Sequence, residues 1–255
     1  MLLANRSTDR SGWYWIGEPG LKTLDKKRAN KYLLACILDY QIQSGRAWEN
    51  AKRLAESILG DPPCLWESIT EIPFLVWRHR FREYGLHRFP VAHERVWRIG
   101  KRVVDGYAGD ARQVWKGLSP AKSTAALITL GVGEQLSRMA VGGLFDCGWL
   151  KGKSDVKADV HVKRVVGRVC LGRPATEDEA IDLARHICPD NPWLIDSALW
   201  QAGYHHCRPK ETFCVACFLN RLCSFAANLT LGMPLPSGGM ASTSGAETTR
   251  RPRIA

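Results

Sequence analysis

Four cysteines near the C-terminus, Cys207, Cys214, Cys217 and Cys223, constrain this 255-residue chain more than any other feature, because they fall in one short loop with the spacing C-x6-C-x2-C-x5-C. Thiolates so close in sequence can converge on one centre, and soft sulfur ligands select an iron–sulfur cluster or zinc over hard cations such as magnesium. Structural zinc usually arrives as two C-x2-C knuckles set apart, and here only Cys214 and Cys217 form such a pair. His205 and His206 adjoin Cys207 as alternative ligands, but four thiolates already complete a set. The other five cysteines, Cys36, Cys64, Cys147, Cys170 and Cys188, are scattered through apolar segments and read as buried thiols of a reducing compartment, without disulfides.

Helical periodicity dominates the rest. One helix carries Tyr32, Leu33, Ala35, Cys36 and Leu38, and the next carries Trp48, Ala51, Leu54 and Ile58, with Ser44-Gly45 between them. A further helix over 92–107 places Val96, Ile99 and Val103 on one face, and helices continue with glycine breaks from Pro120 to Cys170 and from Thr176 to Ala202. Strand-like alternation is nowhere sustained, so an all-α fold is expected. No apolar run reaches bilayer length, and residues 1–20 lack the basic start and hydrophobic stretch of a secretory signal; an intracellular protein of the cytoplasm or nucleoid is expected. Residues 234–255 are rich in Gly, Ser, Thr and Pro and read as a disordered tail carrying Arg250, Arg251 and Arg253.

Charge points toward a polyanion. Lys and Arg number 36 against 25 Asp and Glu, a formal net charge of +11, which supplies sequence-independent attraction to phosphates. Basic residues cluster at Arg78, Arg80 and Arg82, at His87-Arg88, and at Lys163, Arg164 and Arg168; as solvated faces they need no function, and beside a cleft they contact phosphates.

Two shorter motifs precede the cysteines. Leu130-Gly131-Val132-Gly133 lies between two helical runs, where glycines permit a tight turn and the N–H groups of the second helix face an anion. Taken alone it is also an ordinary helix–helix turn. Downstream, Asp159 opens an amphipathic helix in Lys157-Ala158-Asp159-Val160-His161-Val162-Lys163-Arg164. Aspartate is a good N-cap, and a helix N-terminus also favours the ionised carboxylate wanted beside the positive charge that builds on a sugar as its bond to a base breaks.

The ordered set of a G-V-G hairpin, A-D-V-H-V-K-R-V, A-L-W-Q-A-G-Y-H-H-C and the cysteine loop resembles the endonuclease III-like helix-hairpin-helix (HhH-GPD) DNA glycosylase superfamily, over roughly 29–223. The resemblance implies a two-lobed fold, with a helical barrel lobe carrying the hairpin, a lobe carrying a [4Fe-4S] cluster, and a DNA cleft between them. The expected divisions are an N-terminal extension at 1–23, the barrel lobe at 24–149, the catalytic and cluster lobe at 150–225, and the tail. It also favours the iron–sulfur cluster over zinc, with Cys207, Cys214, Cys217 and Cys223 as ligands. Asp159 falls on the catalytic aspartate, and Leu130, Gly131, Val132 and Gly133 on the phosphate-gripping hairpin. Gln41 falls where a glutamine fills the gap left by a flipped base, and Leu86 where a wedge enters the opposite strand. Lys163 and Arg164 are expected at the DNA.

Departures from the family pattern shape the expected chemistry. Bifunctional members carry a lysine where this chain has Gln135, and an amide cannot form the Schiff base that cleaves the strand. Lys151, Lys153 and Lys157 are the nearby alternative amines. Leu130 replaces the usual proline, and Glu134 adds a negative charge beside the phosphate site. The expectation is a monomeric, monofunctional base-excision glycosylase acting on double-stranded DNA with a damaged or mismatched base. The alternatives are a bifunctional glycosylase with lyase activity and a non-catalytic module that binds damaged DNA.

Overall fold

The computed structural model describes residues 1–6 and 10–231; the predicted tail at 234–255, with its three arginines, lies outside the described residues. Its α-helices are α1 (Lys26–Leu38), α2 (Ser44–Lys52), α3 (Leu65–Thr70), α4 (Phe74–Glu83), α5 (Val91–Tyr107), α6 (Arg112–Trp115), α7 (Pro120–Leu130), α8 (Glu134–Asp146), α9 (Val160–Leu171), α10 (Glu177–Ile187), α11 (Asp196–His205) and α12 (Ser224–Thr230). Among the described residues the only strand-type pairing is an isolated antiparallel bridge between Cys207 and Thr212, so the fold is all-α.

Local chemistry sets the helix ends. Asp25 caps α1 by accepting the N–H of Arg28, and Ser119 caps α7, which begins on Pro120, a residue that has no N–H to lose. At α10, Thr176 and Glu179 satisfy each other's backbone N–H groups in a capping box. One boundary differs from expectation. Ser44 and Gly45 begin α2 instead of separating it from α1, and the reversal is made by residues 39–43, where Gln41 takes a left-handed φ of 51°.

Helix α1 is apolar all round from Tyr32 to Leu38, and Ala29 to Leu38 are all buried, so it is the central rod against which α2, α3, α5 and α8 pack. This first core runs from Ile16 to Leu150. A second core is built by α9, α10 and α11 around Val162, Val165, Val166, Ile181 and Leu199. The segment at 1–23, expected as an extension, packs on both. Ile16 is 1% exposed within the first core, Leu2 packs against the second, and Arg6 Nη2 lies 2.6 Å from Asp146 Oδ1. Fully burying one such isoleucine contributes about 1.5–3 kcal/mol, so this segment is part of the folded unit.

Cysteine burial follows expectation at Cys36 and Cys188, whereas Cys64 and Cys147, expected buried, are half-buried. Cys170 is exposed, because it sits at the solvent side of the last turn of α9.

Candidate active site

A cavity of about 460 Å³ is lined by residues from both halves of the chain: Trp13 and Tyr14 from the N-terminal segment, Asp39 and Trp48 from the α1–α2 hairpin, Met139 from α8, and Asp159, Asp196 and Trp200 from the second half. Asp159 is the N-cap of α9. Its Oδ1 accepts the N–H groups of His161 at 2.8 Å and Val162 at 3.0 Å, which fixes the carboxylate at the positive end of the helix. Its second oxygen takes neither bond.

Asp196, the first residue of α11, is 8% exposed and accepts the N–H of Lys157 on Oδ1 at 2.7 Å. Burial, reinforced by the charge of Asp159, pushes the Asp196 carboxyl up to about 8. It therefore carries its proton at neutral pH while sharing the cavity with Asp159. Asp146 is also raised by burial, with Trp193, Arg6 and Trp13 donating hydrogen bonds that act in the opposite direction. Asp39 accepts from Ser44 Oγ at 2.5 Å. Lys157 turns into the same cavity, its Nζ 3.4 Å from Met139 Sδ, whereas Lys151 and Lys153 are exposed.

The turn between α7 and α8 has the geometry that the G-V-G motif requires. Gly131 has φ 105°, and a Cβ there would lie 2.7 Å from Arg102 Nη1, which donates to Leu130 O at 2.8 Å. Leu130 and Val132 are buried and anchor the turn, while Gly131 is exposed and Gly133, half-buried, caps α8 without a side-chain bond. The first N–H groups of α8 are thus left to an external acceptor. Glu134 is paired with Arg138 one turn along, which offsets its charge. The Gln135 amide is enclosed, and among the described residues neither its nitrogen nor its oxygen has a hydrogen-bond partner.

Two residues expected at the DNA are buried in the fold. Leu86 is 0% exposed in the first core, and its carbonyl accepts from Asn50 Nδ2 at 2.8 Å; an apolar side chain held there is packing, and Tyr84 and Arg88 are what this loop exposes. Arg164 is 8% exposed and donates to the carbonyls of Cys207, Val160 (3.0 Å) and Gly203 (2.9 Å), so it ties α9 to α11 and the cysteine loop. Lys163 is half-buried and forms no ion pair among the described residues. Gln41 is exposed, at a loop pinned by Arg88 to its carbonyl and by His87 Nε2 at 3.0 Å from Tyr40 O.

Cys207, Cys214, Cys217 and Cys223 line one small cavity with Val165, Arg168 and Phe225. Arg168 donates to Cys207 Sγ at 3.3 Å and to Arg208 O at 2.9 Å, and its guanidinium lies 4.4 Å from the Phe225 ring centre. Among the described residues no group of three or more Cys, His, Asp or Glu side chains is drawn around one point closely enough for a single metal ion. A lone zinc with 2.3 Å bonds would need its four sulfurs within about 4 Å of one another.

Sequence reasoning missed Trp13, Tyr14, Asp39, Asp146, Asp196 and Trp200 as cavity residues. The signal was the aromatic run Trp13-Tyr14-Trp15 in a segment without periodicity.

No protein-family model matches the chain. Over 146 residues, 56% of this chain, it is 25% identical to Endonuclease III of Thermotoga maritima, so it spans about three fifths (61%) of that curated relative's length. Among solved structures it is similar to a trapped Endonuclease III–DNA covalent intermediate in an estranged-adenine complex (TM-score 0.59, 18% identity, 82% of this chain and 88% of that one). It is similar also to a non-covalent Endonuclease III–DNA complex (TM-score 0.59, 20% identity, 83% and 88%). A thermostable thymine-DNA glycosylase matches over 87% of this chain and 94% of that one (TM-score 0.59, 18% identity). The chain thus shares the all-helical fold of these solved glycosylase structures and, over part of its length, is similar in sequence to an Endonuclease III.

Proposed function

We propose that this protein is a DNA glycosylase that flips a damaged or mismatched base out of double-stranded DNA and hydrolyses its N-glycosidic bond. The observation that carries the reading is Asp159, a carboxylate fixed at a helix N-terminus in a cavity large enough for a nucleobase and walled by aromatic rings. As the bond to the base breaks, the sugar gains oxocarbenium character, which Asp159 stabilises while it orients the attacking water. The uncapped N–H groups of α8 behind the hairpin hold a phosphate, and Lys163 and exposed Gln41 adjoin the DNA. Gln135 stands at the family's lysine position, so base release runs through water and the enzyme is monofunctional.

The cysteine loop holds a [4Fe-4S] cluster whose role when bound is to fold the loop. The protein works as a monomer on DNA inside the cell; among the described residues no helix is long and apolar enough to cross a membrane. Relatives of known structure bind DNA, as their complexes with it state, which agrees with the chain's basic excess. Incubation with duplexes carrying single lesions or mismatches, analysed with and without hot alkali, tests the reading. Breaks that need alkali are expected, and breaks without it mean a lyase.

A further inference from the structure

Asp159 and Asp196 line one cavity, and their surroundings set the two carboxyls apart. On the glycosylase reading, on which this inference rests, we propose that Asp196 is the general acid of the reaction, giving a proton to the departing base while Asp159 takes one from the attacking water.

The bonding of each side chain divides the roles. Asp159 Oδ1 accepts two N–H groups at the start of α9, which holds the carboxylate at the positive end of that helix and leaves Oδ2 for water. Asp196 opens α11, yet among the described residues no N–H of that helix bonds to its side chain. Its Oδ1 accepts the Lys157 N–H, and its Oδ2 accepts none. The side chain is enclosed but lines the cavity, so Oδ2 is the oxygen that holds a proton there.

The groups around Asp196 favour that proton. Burial acts first and the charge of Asp159 second, raising it to about 8; Asp146 on α8 adds to this, while the N–H and ammonium of Lys157 oppose it. Residues 3–5 and 192–195, which pack against α11, carry no charge, and the adjoining Arg6 is paired with Asp146 at 2.6 Å. Arg164 of α9 is turned to backbone carbonyls and to His161 Nδ1. Asp39, on the far wall, accepts from Ser44 Oγ. Other donors are engaged: the Tyr14 hydroxyl donates to Glu49 Oε1 at 2.9 Å.

A neutral base leaves poorly as an anion, so its departure gains from a proton in the transition state. Water oxygen bonds to C1′, and its proton passes to Asp159 Oδ2. The C1′–N electron pair returns to the base, which takes the Asp196 proton on a ring nitrogen or a conjugated oxygen. A proton passing back from Asp159 to Asp196 within the cavity restores both groups. Carboxyl pairs whose environments divide them into acid and base cleave glycosidic bonds by the same logic.

The test uses the full-length protein and duplexes carrying uracil or thymine opposite guanine, or thymine glycol, with released base measured in single turnovers between about pH 6 and pH 9. On the fastest of these substrates, wild-type release should fall about tenfold per pH unit above an apparent pKa of about 8. D196N keeps an acceptor for Lys157 but has no proton to give. Its release at neutral pH should be lower by about 10²–10⁴-fold and should lose the alkaline fall, with affinity for a duplex carrying a tetrahydrofuran abasic analogue unchanged. K157M, which removes the opposing ammonium, should keep the fall and move it to higher pH. Three results overturn Asp196 as the acid and leave the glycosylase reading standing: release by D196N at the wild-type rate or with the alkaline fall intact, disappearance of the fall in K157M, or loss of duplex affinity in D196N in step with release. No release from any duplex by the wild type overturns both.

Discussion

The backbone N–H of Lys157 donates to Asp196 Oδ1 at 2.7 Å, so the first residue of α11 holds the segment that delivers Asp159, two positions later, to the N-terminus of α9. One buried carboxyl thereby positions another. The arrangement has a stability cost, because Asp196 is pushed from an ordinary 3.8 to about 8 by burial and by Asp159.

That cost has a definite sign. Between about pH 4 and pH 8 the folded protein keeps a proton on Asp196 that the unfolded chain releases, so stability falls as pH rises through this window. Asp196→Asn keeps an acceptor for Lys157 and removes the ionisation. The gap in melting temperature between D196N and wild type should therefore widen in favour of D196N from pH 5 to pH 8. His87 and His93, lowered by burial, act in the opposite sense below about pH 6.5 but are common to both proteins. A constant gap would show that Asp196 is ionised throughout.

Arg164 and Lys163 separate structure from DNA contact. Arg164→Ala leaves the carbonyls of Cys207 and Gly203 unpaired and should destabilise the fold by about 2–4 kcal/mol in urea unfolding. Lys163→Ala should leave stability within about 0.5 kcal/mol and reduce the salt slope of duplex binding by about one unit. A reversed pattern would return Arg164 to the DNA.

Much of this site was legible because its chemistry sits in contiguous motifs. Asp159 with its helix, the G-V-G turn and the cysteine loop each need only local spacing, and each is found where the residues put it. The burial of Leu86 and Arg164 was not legible, because one-dimensional sequence does not show depth. A leucine after Tyr84-Gly85 and an arginine in a basic helix look alike whether they face solvent or a neighbouring helix, and here both face inward. Apart from the aromatic run at Trp13, the aromatic wall was not legible, because Trp13, Trp48, Trp193 and Trp200 are brought together by the packing of three distant segments.

Arg168 is expected to hold the cysteine loop. Arg168→Ala removes its contacts to Cys207 Sγ, Arg208 O and the Phe225 ring, and should lower iron content per chain and visible absorbance while α-helical circular dichroism is retained. Unchanged iron would mean that the loop is set by its thiolates alone.

Gly131→Ala places a methyl group at φ 105° against Arg102, and should cost about 1–2 kcal/mol and weaken binding to all duplexes alike. A variant as stable as wild type would contradict the left-handed turn.

The central claim rests on Asp159. The most direct measurement compares base release by wild type and Asp159→Asn on the same lesion duplexes, with binding followed in parallel. Asparagine caps a helix as well as aspartate does, so folding and duplex affinity should persist while release falls by about 10²–10³-fold, and wild-type strand breaks should appear only after alkali. Release by D159N at the wild-type rate would contradict the account.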